Sequence, residues 1–591
     1  MDFINYIRNV RKENDFIPTG VTKRSYIDIL EKCLDAYSFR DLESRLPKTK
    51  DGMVDDLQAI SRITCALGVM LAHGRKKEYK SLWVKMMDAC CNDFYRRMPP
   101  NTLDFAVKEI MLSYKAMKDH VDEKKKSEWL ENLAKIDPYR NYSNVLREDT
   151  EADRLYNWNV YNMAGEYLRE TEGLTDTSGY FEKHWSHQLN YFDKNGMYMD
   201  PNNPILYDLT TRCHAQFITG FGYRGKYFEA IDTNLRRAGL YTLFMQSANF
   251  ELPFGGRSNQ YIFNEALIAA NCEYEAARYA GEGDASTAGM FKRAGHLALK
   301  AMLRWLEEIP PRHIKNLYPV DSKFGTENYG YYDKYMMTAG SFIYIAYLFA
   351  DDSIEEFPCP AETGGYFLQT SEEFHKIFAN CNGQSIQIDT KADPDYDATG
   401  LGRYHKYLIP SEMALSIPFT ATPHYFLPES LSKENISLCT GWEDETGNII
   451  ALSDLHDDIR SDITIKGIER NKIEFDLLYS GASIKGCSCI KESYLLSVDG
   501  LCITSVILNP SSEQIYFYVP IFITNGKDIT NININNNTIT VVMDKFKYII
   551  SSNGIYQMDK SRYGNRNGEY GLALFKRNRS EITIKLSLTG M

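Results

Sequence analysis

The hydrophobic pattern of this chain changes period once, and that change restricts the folds open to it. From residue 1 to about 350, apolar residues recur at spacings of three and four. The stretches "DDLQAISRITCALGVMLAHG" (55–74), "EALIAANCEYEAARYAGEG" (265–283) and "AGMFKRAGHLALKAMLRWLEEIPP" (288–311) show it best. This is the period of a helix with a buried face, and Gly74 and Pro310–Pro311 supply stops. Roughly a dozen such segments follow one another with short returns, which predicts helical hairpins packed in a ring or superhelix. From about 380 the pattern becomes short β-branched runs, including "SIQID", "DITIKGI", "KIEFDLLY", "LCITSVIL", "QIYFYVPIFI", "TITVVM" and "EITIKLSL". Such runs, separated by turns, predict an antiparallel β-sandwich. "NININNNTI" (531–539) reads as a turn, and "FPCPAETGGYF" (357–367) as the hinge between halves. The expectation is a helical domain over 1–375 and a β domain over 376–591.

At 591 residues the chain is long enough for both domains, and 43% hydrophobic with 25% charged residues is a globular composition. The net charge of −12 and the lack of a large basic cluster argue against nucleic acid. No run of about 18 apolar residues suggests a membrane span. "MDFINYIRNVRKENDF" does not read as a signal peptide, which points to a cytoplasmic protein, a processed secreted form being the other option. The 12 cysteines are scattered without a C-x-x-C pair, as free thiols would be, so no metal site is expected. Tyrosine outnumbers phenylalanine 41 to 29, and tyrosine suits both packing and sugar rings.

Five stretches carry candidate chemistry. "LYDLTTRCHAQF" (206–217) opens a helix after Pro204. There Tyr207, Thr211 and His214 share a face, while Asp208 and Arg212 are spaced as a helix ion pair, which competes with a substrate role for Arg212. In "ANFELPFGGRSNQYIFNEA" (248–266), Gly255–Gly256 precede Arg257, and a helix is expected to open at Ser258 or Asn259. An arginine beside free backbone N–H groups would receive a carboxylate. Tyr261, Asn264 and Glu265 follow. "YPVDSKFGTENYGYYDKYMM" (318–337) places Glu327, Asn328, Tyr329, Tyr331, Tyr332, Asp333 and Tyr335 before an apolar helix. In "YNWNVYNMAGEYL" (156–168), Trp158 lies between Asn157 and Asn159, a set that could stack a sugar and bond its hydroxyls. "DYDATGLGRYHK" (395–406) offers Arg403 and His405 on a glycine-containing loop reaching toward the helical half.

The order P-x-x-Y-D-x-x-T-R, G-G-R-S-x-Q-x-x-x-N-E-A, F-K-R-A and Glu-x-Tyr, over residues 150–420, resembles the (α/α) toroid polysaccharide lyases with a C-terminal β-sandwich. These include heparinase-like and rhamnose–glucuronate lyases, with glucuronidases as related toroids. The resemblance implies an incomplete or six-hairpin toroid followed by an antiparallel sandwich. It also implies β-elimination on a uronate-containing oligo- or polysaccharide, with no cofactor; the lack of an export signal points to an exo-type pocket acting on imported oligosaccharides. By that resemblance Arg257 or Asn159 would grip the carboxylate, His214 would take the C5 proton, and Tyr261 or Tyr329 would protonate the leaving oxygen. Asn157, Trp158, Tyr207, Arg212, Asn264, Glu265, Glu327, Tyr332, Arg403 and His405 would bind substrate. The alternatives are a glycosidase using two carboxylates, Glu265 with Glu327 and Asp208 or Asp333 in reserve, and a non-catalytic carbohydrate-binding protein. The partner expected is an acidic saccharide, with a homo-oligomer compatible with the chain.

Overall fold

The computed structural model describes residues 1–49, 52–147, 150–151 and 155–590. Twelve of its helices make six hairpins: α1 (Lys23–Leu34), α2 (Leu57–Ala72), α3 (Lys80–Phe94), α4 (Val107–Met117), α5 (Glu123–Ala134), α6 (Asn157–Glu170), α7 (Ser178–Gln188), α8 (Ile205–Gly220), α9 (Phe228–Met245), α10 (Phe263–Gly281), α11 (Ala285–Leu306) and α12 (Tyr332–Phe349). The even-numbered helices pack each on the next, and α12 closes back on α2, so they form a complete inner ring. The odd-numbered helices lie outside it. Sequence explains the division. α2, α10 and α12 are buried on nearly every side, whereas α5 buries only Trp129 and Leu133 and shows water its charged face. Aspartates start several helices: Asp56, Asp122 and Asp284 each accept a backbone N–H three residues on.

The β-rich region holds three antiparallel sheets. The first contains β1 (Tyr366–Gln369), β2 (Lys376–Cys381), β3 (Gln384–Asp389) and β4 (Gly400–Lys406) in that order. Strand β1 starts before the boundary expected at 375/376 and pairs with β2 across it. Eight- and six-stranded sheets follow between Cys439 and Gly590, and the apolar faces of all three sheets share one core. Two expectations change here. Asn531–Asn535 is an exposed edge strand paired with Thr538–Met543, the turn being confined to Asn536 and its neighbour. Its asparagines face water on an edge, which hides the alternation that marks a strand. Arg403 and His405 lie on β4, buried, rather than on a reaching loop.

The four-stranded sheet joins the ring. Its Gln387 bonds Phe254 N and O, and Ser385 Oγ accepts Ala248 N–H at 2.8 Å. No helix among the described residues is long and apolar enough to cross a membrane.

Candidate functional site

The N-terminal ends of the inner helices converge on one cavity of about 460 Å³. Gln58 and Arg62 of α2, Asn157, Trp158 and Tyr161 of α6, Leu206, Tyr207 and Thr210 of α8, Phe263 of α10 and Lys334, Tyr335, Thr338 and Phe342 of α12 line it. Phe105, just before α4, completes the circuit. The volume falls in the range of small-molecule sites, roughly 300–1,000 Å³. Helix N-termini carry partial positive charge, so a ring of them makes an anion-attracting mouth from backbone alone.

Aromatic rings form the entrance. Trp158 is 43% exposed and meets Phe105 edge-on, centroids 4.9 Å apart. Phe105 has φ of 73°, a costly conformation for a bulky residue, and it is held there with its ring wedged between Trp158 and Tyr161.

One wall is a cluster of hydroxyls around Ser258. Its Oγ lies 3.0 Å from the Tyr207 hydroxyl, 3.0 Å from that of Tyr335 and 3.4 Å from that of Tyr329. Burial pushes all three phenols above their ordinary pKa, so they are protonated at neutral pH. Ser258 reaches this position because Gly255–Gly256 lets the loop touch the start of α8: a Cβ on Gly256 would sit 2.5 Å from that of Pro204. The helix expected at Ser258 starts instead at Phe263, with Ser258 and Gln260 at positive φ. Glu327 fixes the loop from beneath. Its carboxylate accepts Ser258 N–H (2.6 Å), the Tyr261 hydroxyl (2.5 Å) and two bonds from Arg566 of the β region (2.6 and 2.9 Å). Burial alone would raise the Glu327 pKa, but Arg566 holds it below the usual range.

Three cations reach the cavity. Arg257 stacks 4.4 Å over Tyr207, pairs with Asp200 and donates to Pro201 O at 2.7 Å. Asn157 also donates to Asp200, at 2.7 Å, and burial keeps the Asp200 pKa above its ordinary value despite both partners. Arg62 is 5% exposed, and its Nε and Nη1 have no hydrogen-bond partner among the described residues. Behind it Glu109 is already engaged by Lys108 (3.0 Å), Tyr161 (2.5 Å) and Ser341 (2.8 Å). Lys334 has no carboxylate within ion-pair distance among the described residues. Burial and then Arg62 push its pKa down to about 8, with Asp56 pulling the other way.

Of the residues expected from sequence, Asn157, Trp158, Tyr207, Arg257 and Tyr329 share this cavity. The others do not line it. His214 is fully buried against Tyr161 (4.0 Å) and Phe342, with Nδ1 donating to Thr210 O at 2.7 Å. Burial, with Lys108 nearby, pushes its pKa well down. It therefore supports the floor and does not open onto substrate space. Tyr261 is buried on Glu327, and Asn264 donates to Ser258 O. Asn159 bonds His184 at 2.7 Å. Arg212 is a buried brace, bonded to Asp208 (2.8 and 2.6 Å) and Thr242. Tyr332 donates to Pro311 O. Glu265 takes the Lys315 ammonium (2.7 Å) and Leu252 N–H. Arg403 and His405 join it in a buried polar layer between the domains, through Leu252 O and through Ser247 with Ser416. Burial lowers the Arg403 pKa to about 10 and that of His405 well below normal.

Arg62, Lys334 and Tyr161 were absent from the sequence-derived set, whereas Tyr335 belonged to its tyrosine-rich stretch. A signal existed for Arg62: it is a lone charge in an otherwise apolar helix, and such a residue is solvated by something other than bulk water.

No protein-family model matches the chain, and no curated relative does. Among solved structures, a heparan sulfate lyase from Pedobacter heparinus aligns over 100% of this chain and 87% of its own at 10% identity, TM-score 0.36. A chondroitinase AC lyase aligns over 95% and 83% at 10% identity, TM-score 0.41. A glycosyl hydrolase family 88 protein from Bacteroides vulgatus covers 56% of this chain and 99% of its own at 10% identity, TM-score 0.33.

Proposed function

We propose that the protein cleaves a uronate-containing oligo- or polysaccharide by β-elimination in this cavity. One observation carries the reading: a sugar-sized hollow with an aromatic mouth is lined by three cations, Arg62, Arg257 and Lys334, and, among the described residues, by no pair of free carboxylates. Elimination needs the substrate carboxylate neutralised so that the C5 proton becomes acidic, a base for that proton, and an acid for the departing O4. Arg62 answers the first need, with Arg257 on the rim and the helix N-termini adding to the field. The phenols of Tyr207, Tyr329 and Tyr335 answer the third, because they are protonated and share Ser258 as a relay. Trp158 offers a ring face for stacking.

A hydrolase would need a pair of carboxyl groups across the bond. Among the described residues, Asp200 is the carboxylate lining the cavity, and it is held by Arg257 and Asn157. Glu265, Glu327, Asp208 and Asp333 are engaged elsewhere, with Lys315, Arg566, Arg212 and Arg45.

The test is incubation with a panel of oligouronides in ¹⁸O-labelled water. Elimination yields an unsaturated uronate absorbing in the near-ultraviolet and no label in the product. Labelled reducing ends without the chromophore would show hydrolysis instead. Binding without any product would show a carbohydrate-binding protein.

A further inference from the structure

The base is the part of the site that the sequence placed on a residue without access. We infer that the ε-amine of Lys334 removes the C5 proton, an assignment that rests on the elimination reading above. Lys334 stands in the first turn of α12, on the cavity wall, and its Nζ hangs 5.7, 5.9 and 5.8 Å from the ring centres of Tyr329, Tyr331 and Tyr335. Other cavity cations are committed or permanently charged: Arg257 to Asp200, and Arg62 as a guanidinium that does not give up its proton. Lysine is the one of the three that changes state in the working pH range when it is partly buried and lacks an anion. From α2 it faces Arg62, which opposes its charge, and Asp56, which favours it but is occupied by the Tyr331 hydroxyl at 2.7 Å and by the cap of its own helix.

The step balances within the site. The neutral amine takes the proton from C5 and becomes ammonium. The C–H electron pair forms the C4–C5 double bond, and the C4–O4 bond breaks. The departing O4 takes a proton from a phenol of the Ser258 cluster. Transfer of a proton from the Lys334 ammonium to that phenolate, directly or through water, restores both groups. Arg62 stays charged throughout and holds the carboxylate as negative charge spreads onto it.

Three variants test the assignment. Lys334→Gln should lose about 10²–10⁴-fold in kcat, the usual worth of a general base, with KM little changed. Lys334→Arg keeps the charge but not the base, so it should be as inactive as the glutamine variant. Lys334→Cys alkylated with 2-bromoethylamine regains an amine of lower basicity, so it should recover activity. In the unmodified protein kcat should rise with pH through about 8 as the amine loses its proton. In the alkylated variant the same limb should move to lower pH. Substantial kcat in Lys334→Arg, or an unmoved limb in the alkylated variant, would overturn the assignment while leaving elimination standing. Absence of unsaturated product from the unmodified protein on every oligouronide would overturn both.

Discussion

Replacing Arg62 with methionine should make the protein more stable and less active in the same stroke. The side chain is 5% exposed and leaves Nε and Nη1 without partners. Each unpaired buried donor costs about 1–3 kcal/mol. Against this, the variant gives up its electrostatic attraction to Glu109 and Tyr161, worth about 1–3 kcal/mol for a hydrogen bond to a charged group. Glu109 keeps Lys108, Tyr161 and Ser341 on its Oε1, so its carboxylate retains one counter-charge. Methionine fills a comparable volume and adapts to an irregular gap. Taking the middle of each range, the expected balance is a gain of about 2 kcal/mol, from the difference of those terms. It should appear as a higher urea midpoint for loss of helical circular dichroism, without a change in slope. Catalysis should move the other way. Two charge-assisted bonds to a uronate carboxylate, at about 1.5–3 kcal/mol each, correspond to a fall of about 10²–10⁴-fold in kcat/KM. A variant less stable than the parent would mean that Arg62 is a structural pair rather than an idle receptor. A stable variant with full activity would remove it from the site.

Further outcomes are expected. Arg566→Met strands the buried Glu327 carboxylate and should cost about 3–5 kcal/mol, read as a lower denaturation midpoint, with activity lost alongside. Trp158→Ala should raise KM about 5- to 150-fold, the range of stacking losses of about 1–3 kcal/mol, and lower the melting temperature only modestly, because the ring is half-buried against Phe105. Asp397, whose carboxylate accepts Gly256 N–H at 2.6 Å, has its pKa raised by burial to about 7. A raised folded pKa means stability present below the unfolded value and lost as pH rises through about 7, so Asp397→Asn should flatten the loss of stability seen between pH 4 and about 7 in denaturation midpoints.

The architecture was legible because hydrophobic period is a local property. Three- and four-residue spacing marked the ring, and alternation marked most strands, since both record which face is buried. Asn531–Asn535 escaped because an edge strand facing water on both sides carries no such record. Residue types that meet at helix starts were the legible part: Tyr207, Arg257, Tyr329 and the 157–158 pair line one cavity. The sequence misled at His214, Tyr261 and Glu327. All three have chemically apt side chains, but they turn into packed interiors, and helical spacing gives a face without saying which face meets the hollow. Lys334 was passed over among four tyrosines because its character comes from what is missing around it, and an absent carboxylate is not written in neighbouring letters.

The Glu327–Arg566 pair has a consequence for how the protein is made. The two residues are 239 positions apart in the chain, Arg566 lying in the β region. At about 5–20 residues per second of synthesis, the helical ring waits on the order of tens of seconds before its hydroxyl loop is bolted in place. Until Arg566 has been made, Glu327 lacks the partner that fastens this wall, so the hydroxyl loop takes its place only after the β region is synthesised.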